Sequence, residues 1–180
     1  MPVFDHPDFD QHESLHFAQD PKSGLKAIIA IHSTALGPAA GGCRRWQYAS
    51  DADALTDALR LSRGMTYKNA VAGLEFGGGK SVILADDNAP KSPELFHAFG
   101  RVVESLGGKY ITAEDVGCSV EDMRQVNEVT GYVSGLPRSG GNAGGDPSPL
   151  TALGVFLGIE AAVESRLGAD SLKGIRVAVQ

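Results

Sequence analysis

Lys80, in the run Gly77-Gly78-Gly79-Lys80-Ser81, has more chemistry to offer than any other residue in the chain. A substrate can approach a lysine closely when the backbone around it lacks side chains. Desolvating the ammonium then lowers its pKa toward the range of a general base. The alternative is a flexible turn with a solvated lysine. A nucleotide phosphate loop is excluded, because GxxxxGK[ST] needs glycine at position 74, where this chain has Leu74. Lys68 lies twelve residues upstream in a helical pattern. If that helix ends against the glycine run, one cation fixes a carboxylate while its field depresses the pKa of the other. Otherwise Lys68 is an ordinary solvated helix lysine. Glu114-Asp115 follows the strand-like stretch 109–113, at the carboxyl end where α/β sheets place ligands. Asp115 either moves protons opposite Lys80 or caps a helix starting at 119.

Periodicity predicts the elements that must hold these groups. Residues 12–34 read as two strands around the turn Asp20-Pro21-Lys22-Ser23-Gly24, the second carrying Ile28, Ile29 and Ile31. Residues 37–46, GPAAGGCRRW, read as a loop. From about Asp51, the apolar positions Ala54, Leu55, Ala58, Leu59, Leu61 and Met65 predict a helix running past Lys68 to near Gly73. The run 76–80 reads as a loop feeding a short strand, 81–84. Ser92-Pro93-Glu94 opens a helix that ends at Gly107-Gly108. A strand at 110–113, a helix capped by Ser119, a strand at 132–134 and a loop or hinge over 135–149 follow. A helix from 149 to about 167, a turn at 172–174 and a strand over 175–180 complete the pattern. The fold class is α/β: a mixed sheet with an antiparallel N-terminal hairpin and parallel strands flanked by helices.

Composition narrows the function classes. The 180 residues are 42% hydrophobic and 21% charged, enough to bury roughly 70% of the unfolded surface in one core, so disorder, collagen and coiled coil are excluded. Sixteen Lys+Arg against 22 Asp+Glu give a net charge of -6 with no basic stripe, which argues against a nucleic-acid partner. No apolar run approaches the ~18 residues of a membrane span, and no signal peptide opens the chain. A reducing cytoplasm is the expectation. The five histidines are read as having neither HxxxH nor HExxH spacing, and Cys43 and Cys118 lie far apart in the chain, so no metal is expected. Neither Ser139 nor Ser148 sits in a GxSxG elbow, so no hydrolase triad is expected.

The segments LGPAAGGCRRW (36–46), RGMTYKNAVAGLEFGGGKSVI (63–83), AEDVG (113–117) and GDPSPLTALGV (145–155) together resemble the glutamate/leucine/phenylalanine/valine dehydrogenase superfamily. They match its N-terminal catalytic and dimerisation domain, with a look closest to the leucine type. The resemblance implies NAD(P)-dependent, reversible oxidative deamination of an L-amino acid to a 2-oxo acid and ammonia. It gives Lys68 the substrate carboxylate, Lys80 the activation of the attacking water, and Asp115 proton transfer. Ala40, Gly41, Gly42 and Ala113 would line the substrate, while Arg44, Asp115, Ser148 and Thr151 would approach the cofactor. Cys43 and Cys118 fall where many relatives carry threonine, with no functional consequence expected.

The resemblance also implies residues 1–148 as the substrate-binding and dimerisation domain. Residues 149–180 would be a connecting helix and the first strand of a truncated NAD-binding Rossmann domain. On that reading NAD, with NADP not excluded, is bound mainly by a domain outside this chain, which is inactive alone and assembles as a homo-oligomer. Glutamate-specific members carry a lysine at the position of Ala40, so an apolar substrate is expected, branched-chain first and aromatic next. Were the gene to end at 180, a stand-alone amino- or oxo-acid-binding or oligomerisation module becomes the competing expectation.

Overall fold

The computed structural model describes residues 3–86, 90–137 and 144–179. β1 (Ser14–Asp20) and β2 (Leu25–Ser33) form the expected antiparallel hairpin. The Asp20 carboxylate closes its turn, accepting from the Lys22 amide (3.2 Å) and the Ser23 hydroxyl (2.9 Å). β3 (Ala39–Trp46), α1 (Asp51–Val71) and β4 (Gly77–Leu84) make a β-α-β unit whose two strands are adjacent and parallel. α2 (Pro93–Ser105), β5 (Tyr110–Glu114) and α3 (Val120–Asn127) follow, giving the sheet order β1-β2-β4-β3-β5. Ser50, Ser92 and Ser119 cap the three helices by accepting from the amides of Asp53, Leu95 and Asp122.

The sheet is covered on both faces. Ile29 and Ile31 of β2 pack with Phe96, Phe99 and Met123 from α2 and α3, while Ile28 and Ala30 pack with Val82 and with Ala54 and Ala58 of α1. Burial on both sides explains why β2 reads as a continuous apolar run rather than an alternating one.

Two stretches expected to be loops are central strands. Residues 37–46 contribute β3, which pairs in parallel with β4 on one side and β5 on the other. The glycines expected to loop before residue 81 belong to β4, so Lys80 sits inside a strand. Glycine is a weak strand former, and its role here is close approach rather than flexibility. A Cβ on Gly78 would lie 2.2 Å from the Thr66 backbone nitrogen and 2.6 Å from the Ser62 carbonyl oxygen. α1 therefore rests directly on the β4 backbone, tied at its end by the Asn69 side-chain amide donating to the Gly77 carbonyl (2.6 Å).

The expected strand at 132–134 is a single parallel bridge, in which Thr112 donates to Tyr132 and accepts from Ser134. Residues 175–179 form no strand, because no neighbour pairs with them among the described residues. Part of the expected loop 135–149, including Ser139, and the last strand position, Gln180, lie outside the described residues. The chain divides into two compact units, Met1–Gly145 and Asp146–Gln180. The second holds α4 (Ser148–Leu167), which starts one residue before the expected position and is closed by Gly168 in the left-handed conformation (φ 64°). Among the described residues, no helix is long and apolar enough to cross a membrane.

A histidine cluster ties the N-terminal segment to α1. The buried His12 ring accepts from the Asp10 amide (3.1 Å), which leaves Nε2 to donate to the Leu59 carbonyl (3.1 Å). It stacks edge-on against His32 at 4.8 Å. Burial depresses the pKa of both rings. Below the unfolded-state value of about 6.5 the unfolded chain binds protons that the native one refuses, so this contribution is complete above ~6.5 and is lost as pH falls through the window beneath it. The urea midpoint should therefore drop between pH 7.5 and 5, and His12→Gln should flatten that drop. An equal drop in the variant would contradict the assignment to His12.

Candidate active site

Strand register decides which side chains share a face. Ala40 pairs with Gly78 and Arg44 with Val82, so Ala40, Gly42 and Arg44 of β3 share the α1 side of the sheet with Lys80 of β4. Gly42 pairs with Ala113, which brings β5 onto the same face. At Gly41 a Cβ would lie 3.2 Å from Met65 Cγ of α1, while its carbonyl accepts from the buried Tyr110 hydroxyl (2.6 Å), which also bonds Ser81 (2.9 Å). Lys68 is exposed on α1 and makes no ion pair among the described residues.

Lys80 is inside the protein, its side chain only 7% exposed, and Nζ donates to Asp115 Oδ2 at 2.7 Å. Asp115 opens a tight turn just past β5: its carbonyl accepts from the Cys118 amide (2.8 Å), and the next carbonyl, of Val116, accepts from Arg45 of β3 (3.0 Å). That turn crosses β3 at Gly42, where a Cβ would lie 2.8 Å from Asp115 Cβ and 2.6 Å from the Glu114 carbonyl oxygen. The missing side chain at 42 is what lets Asp115 reach Lys80.

The same carboxylate oxygen, Oδ2, also accepts from Arg44 Nε (3.1 Å). Arg44 Nη1 in turn donates to Asp57 Oδ2 on α1 (2.9 Å), and the Tyr48 hydroxyl donates to that same Asp57 oxygen (2.6 Å). Partial burial pushes the Asp115 carboxyl upward, but the bond and charge of Lys80, the Val116 amide and Arg44 hold it net below the ordinary carboxylate value. Burial and the Asp57 carboxylate push the Tyr48 phenol upward, so it is a donor throughout the neutral range. An ionised carboxylate thus sits in contact with the Lys80 amine, on a floor otherwise made by Ala40, Gly42 and Ala113. Such a pair suits general acid–base work on a small molecule.

The structure joins Lys80, Asp115, Arg44, Gly42, Ala40 and Ala113. Ser148 and Thr151 belong to the second unit, where the Ser148 hydroxyl donates to Asp146 (2.6 Å). Sequence reasoning misses Asp57, Tyr48 and Tyr110, since one acid on a helix and two tyrosines carry no spacing signal. It also treats Cys43 and Cys118 as remote, yet their sulfurs lie 3.9 Å apart as free, buried thiols. Burial drives the Cys43 thiol upward, so it is packed and protonated. His12-Glu13-Ser14-Leu15-His16 spells HExxH, which the expectation of no metal passes over. That signature needs one helix face, and here Ser14 starts strand β1. His12 is bonded to α1 and His16 to the Ser14 hydroxyl, and no metal-holding group of three ligands occurs among the described residues.

A family model described as Glu/Leu/Phe/Val dehydrogenase, dimerisation domain, matches residues 12–131. The chain belongs to this family. It is 53% identical to a leucine dehydrogenase of Bacillus subtilis over all 180 residues, which are 49% of that relative. It is also 53% identical to a valine dehydrogenase of Streptomyces virginiae over 174 residues, 97% of the chain and 48% of that relative. Among solved structures, L-tryptophan dehydrogenase from Nostoc punctiforme superposes with a TM-score of 0.69 at 47% identity, covering 90% of this chain and 45% of that one. The chain therefore spans about half the length of the curated relatives it matches.

Gly42→Ala is expected to displace Asp115 and lengthen the Lys80–Asp115 contact beyond hydrogen-bond reach while the sheet persists. A crystal structure of the variant checks this. An unchanged contact would show that the turn does not depend on Gly42.

Proposed function

We propose that the chain is the catalytic domain of a longer amino acid dehydrogenase that oxidatively deaminates an apolar L-amino acid, branched-chain first and aromatic next, to a 2-oxo acid and ammonia. The observation that carries this reading is the buried Lys80–Asp115 pair at 2.7 Å on an apolar floor. Family membership supports the reaction class, and the leucine, valine and tryptophan dehydrogenases among the relatives support an apolar side chain.

The nicotinamide cofactor, when bound, accepts the hydride leaving the substrate α-carbon. The 180 residues contain no GxGxxG turn for its pyrophosphate, so they fit only its substrate-facing end. Arg44, Asp115, Ser148 and Thr151 are the residues we assign to that end. Loss of the hydride leaves an iminium at the substrate carbon. Lys80 takes a proton from water as its oxygen bonds to that carbon, giving a carbinolamine. Asp115 relays the proton to the amino group. Ammonia then leaves as the hydroxyl proton returns to Lys80 and the carbonyl forms. Exposed and free of ion pairs, Lys68 anchors the substrate carboxylate. A second carboxylate on a glutamate side chain would meet Ala40 instead of a cation, and burying it unpaired is costly.

We further propose residues 1–148 as the substrate domain, 149–180 as the entry to the nucleotide-binding domain, a cytoplasmic setting for the two unpaired thiols, and homo-oligomeric assembly. The family's description as a dimerisation domain supports assembly, as does β1, an outer strand that carries the exposed Phe17. Lys80→Ala in the full-length enzyme should cut leucine turnover by about 10²–10⁴-fold without changing assembly, and wild type should leave glutamate essentially unreacted. Turnover that survives Lys80→Ala, or robust glutamate oxidation, would overturn the reading.

A further inference from the structure

The family reaction needs one base and one proton relay, yet the structure continues the hydrogen-bonded chain two side chains further, into α1. Asp115 Oδ2 is shared by Lys80 Nζ (2.7 Å) and Arg44 Nε (3.1 Å), and Arg44 is shared in turn by Asp115 and Asp57 (2.9 Å). Tyr48, in the connection between β3 and α1, locks the Asp57 oxygen that Arg44 uses. Arg44 and Asp57 are each about one quarter exposed, so their charges are only partly screened. We propose that Asp57 is a positioning residue which, through its ion pair with Arg44, sets the charge balance of the Lys80–Asp115 pair without touching substrate.

The inference rests on the reading of Lys80 as the base and adds a group that tunes it. With Lys80 protonated, the two cations and two anions of the chain cancel; with Lys80 neutral, the cluster carries one negative charge. Asp57 therefore opposes the neutral lysine and Arg44 favours it. On α1, Asp57 also lies in the field of Arg60, which pairs with Asp8 (2.8 Å). β3 adds the Cys43 thiol, protonated by burial. β2 brings the uncharged Ala30 opposite Lys80. β5 ends in Glu114, whose carboxylate lies against Gly135. α1 carries Lys68 eleven residues beyond Asp57, about 16 Å along the helix. Asp57 is thus the second anion bonded directly to Arg44, beside Asp115 itself.

Asp57→Asn keeps the shape and can still accept from Arg44 and Tyr48, but it removes the charge. At a separation of about 10 Å and a dielectric constant between ~20 and ~80, Coulomb's law gives a displacement of about 0.3 to 1.2 pH units. The acid limb of kcat/KM for leucine oxidation in the full-length enzyme should move to lower pH by that amount in Asp57→Asn. It should move to higher pH in Arg44→Gln. The Lys80 side-chain resonances of this chain, titrated by NMR, should follow in the same two directions. A limb that stays fixed while kcat falls would make Asp57 merely structural and overturn the proposal, as would displacements of the same sign in both variants. Were Asp57→Asn not to fold, the sign of the Arg44→Gln displacement decides alone. The NMR titration needs no turnover, so loss of the Lys80 base assignment and loss of the Asp57 inference remain distinguishable.

Discussion

One carboxylate oxygen, Oδ2 of Asp115, accepts from a buried lysine and from an arginine at once, and much of the fold around it can be understood as what that sharing requires. A lysine ammonium inside a protein loses its hydration and needs an anion at contact distance; an unpaired one would cost several kcal/mol. Asp115 meets that need only because its turn lies flat across β3 at Gly42, and it stays ionised because two cations and a backbone amide face it. Arg44 would leave the site too positive on its own, and Asp57 offsets it from α1. The charges are therefore set by four separate elements, so the site exists only once β3, β4, β5 and α1 have docked.

Docking of α1 depends on the same economy of side chains. Gly78 offers bare backbone to Thr66 and Ser62, which lets a 21-residue helix lie flush on β4 and roof Lys80. The opposite face of the sheet is an ordinary apolar core, where the aromatic rings of Phe96, Phe99 and Tyr110 supply the burial that the glycine-rich side lacks. Tyr110 adds one polar link through this core, its hydroxyl holding the Gly41 carbonyl one residue from the Gly42 crossing. Chemistry on one face is thus mounted on hydrophobic mass on the other.

Much of this was legible in the sequence. The hairpin, the three serine-capped helices and β5 announce themselves through periodicity and caps, and Lys80 and Asp115 through their position beside glycine and at a strand end. β3 and the glycine half of β4 (77–80) were not legible as strand, although 81–84 was, because glycine carries the signature of a turn whether it is used for bending or for close approach. Only the tertiary partner, here α1 over Gly78 and Asp115 over Gly42, tells the two apart. The segments 132–134 and 175–179 erred the other way: local β-propensity forms a strand only where a neighbour supplies hydrogen bonds. The HExxH letters at 12–16 have the same dependence on context, since the spacing means a metal site only on a helix. Asp57 and the meeting of Cys43 with Cys118 arise purely from long-range packing, which no local pattern encodes.

The central claim is that Asp115 is an anion held jointly by Lys80 and Arg44. Its side-chain carboxyl carbon, titrated by NMR in this chain, tests that most directly. The account predicts a midpoint below the ordinary carboxylate value that rises when Lys80 is replaced by alanine. A midpoint at or above the ordinary value in the unaltered protein, indifferent to Lys80, would contradict it.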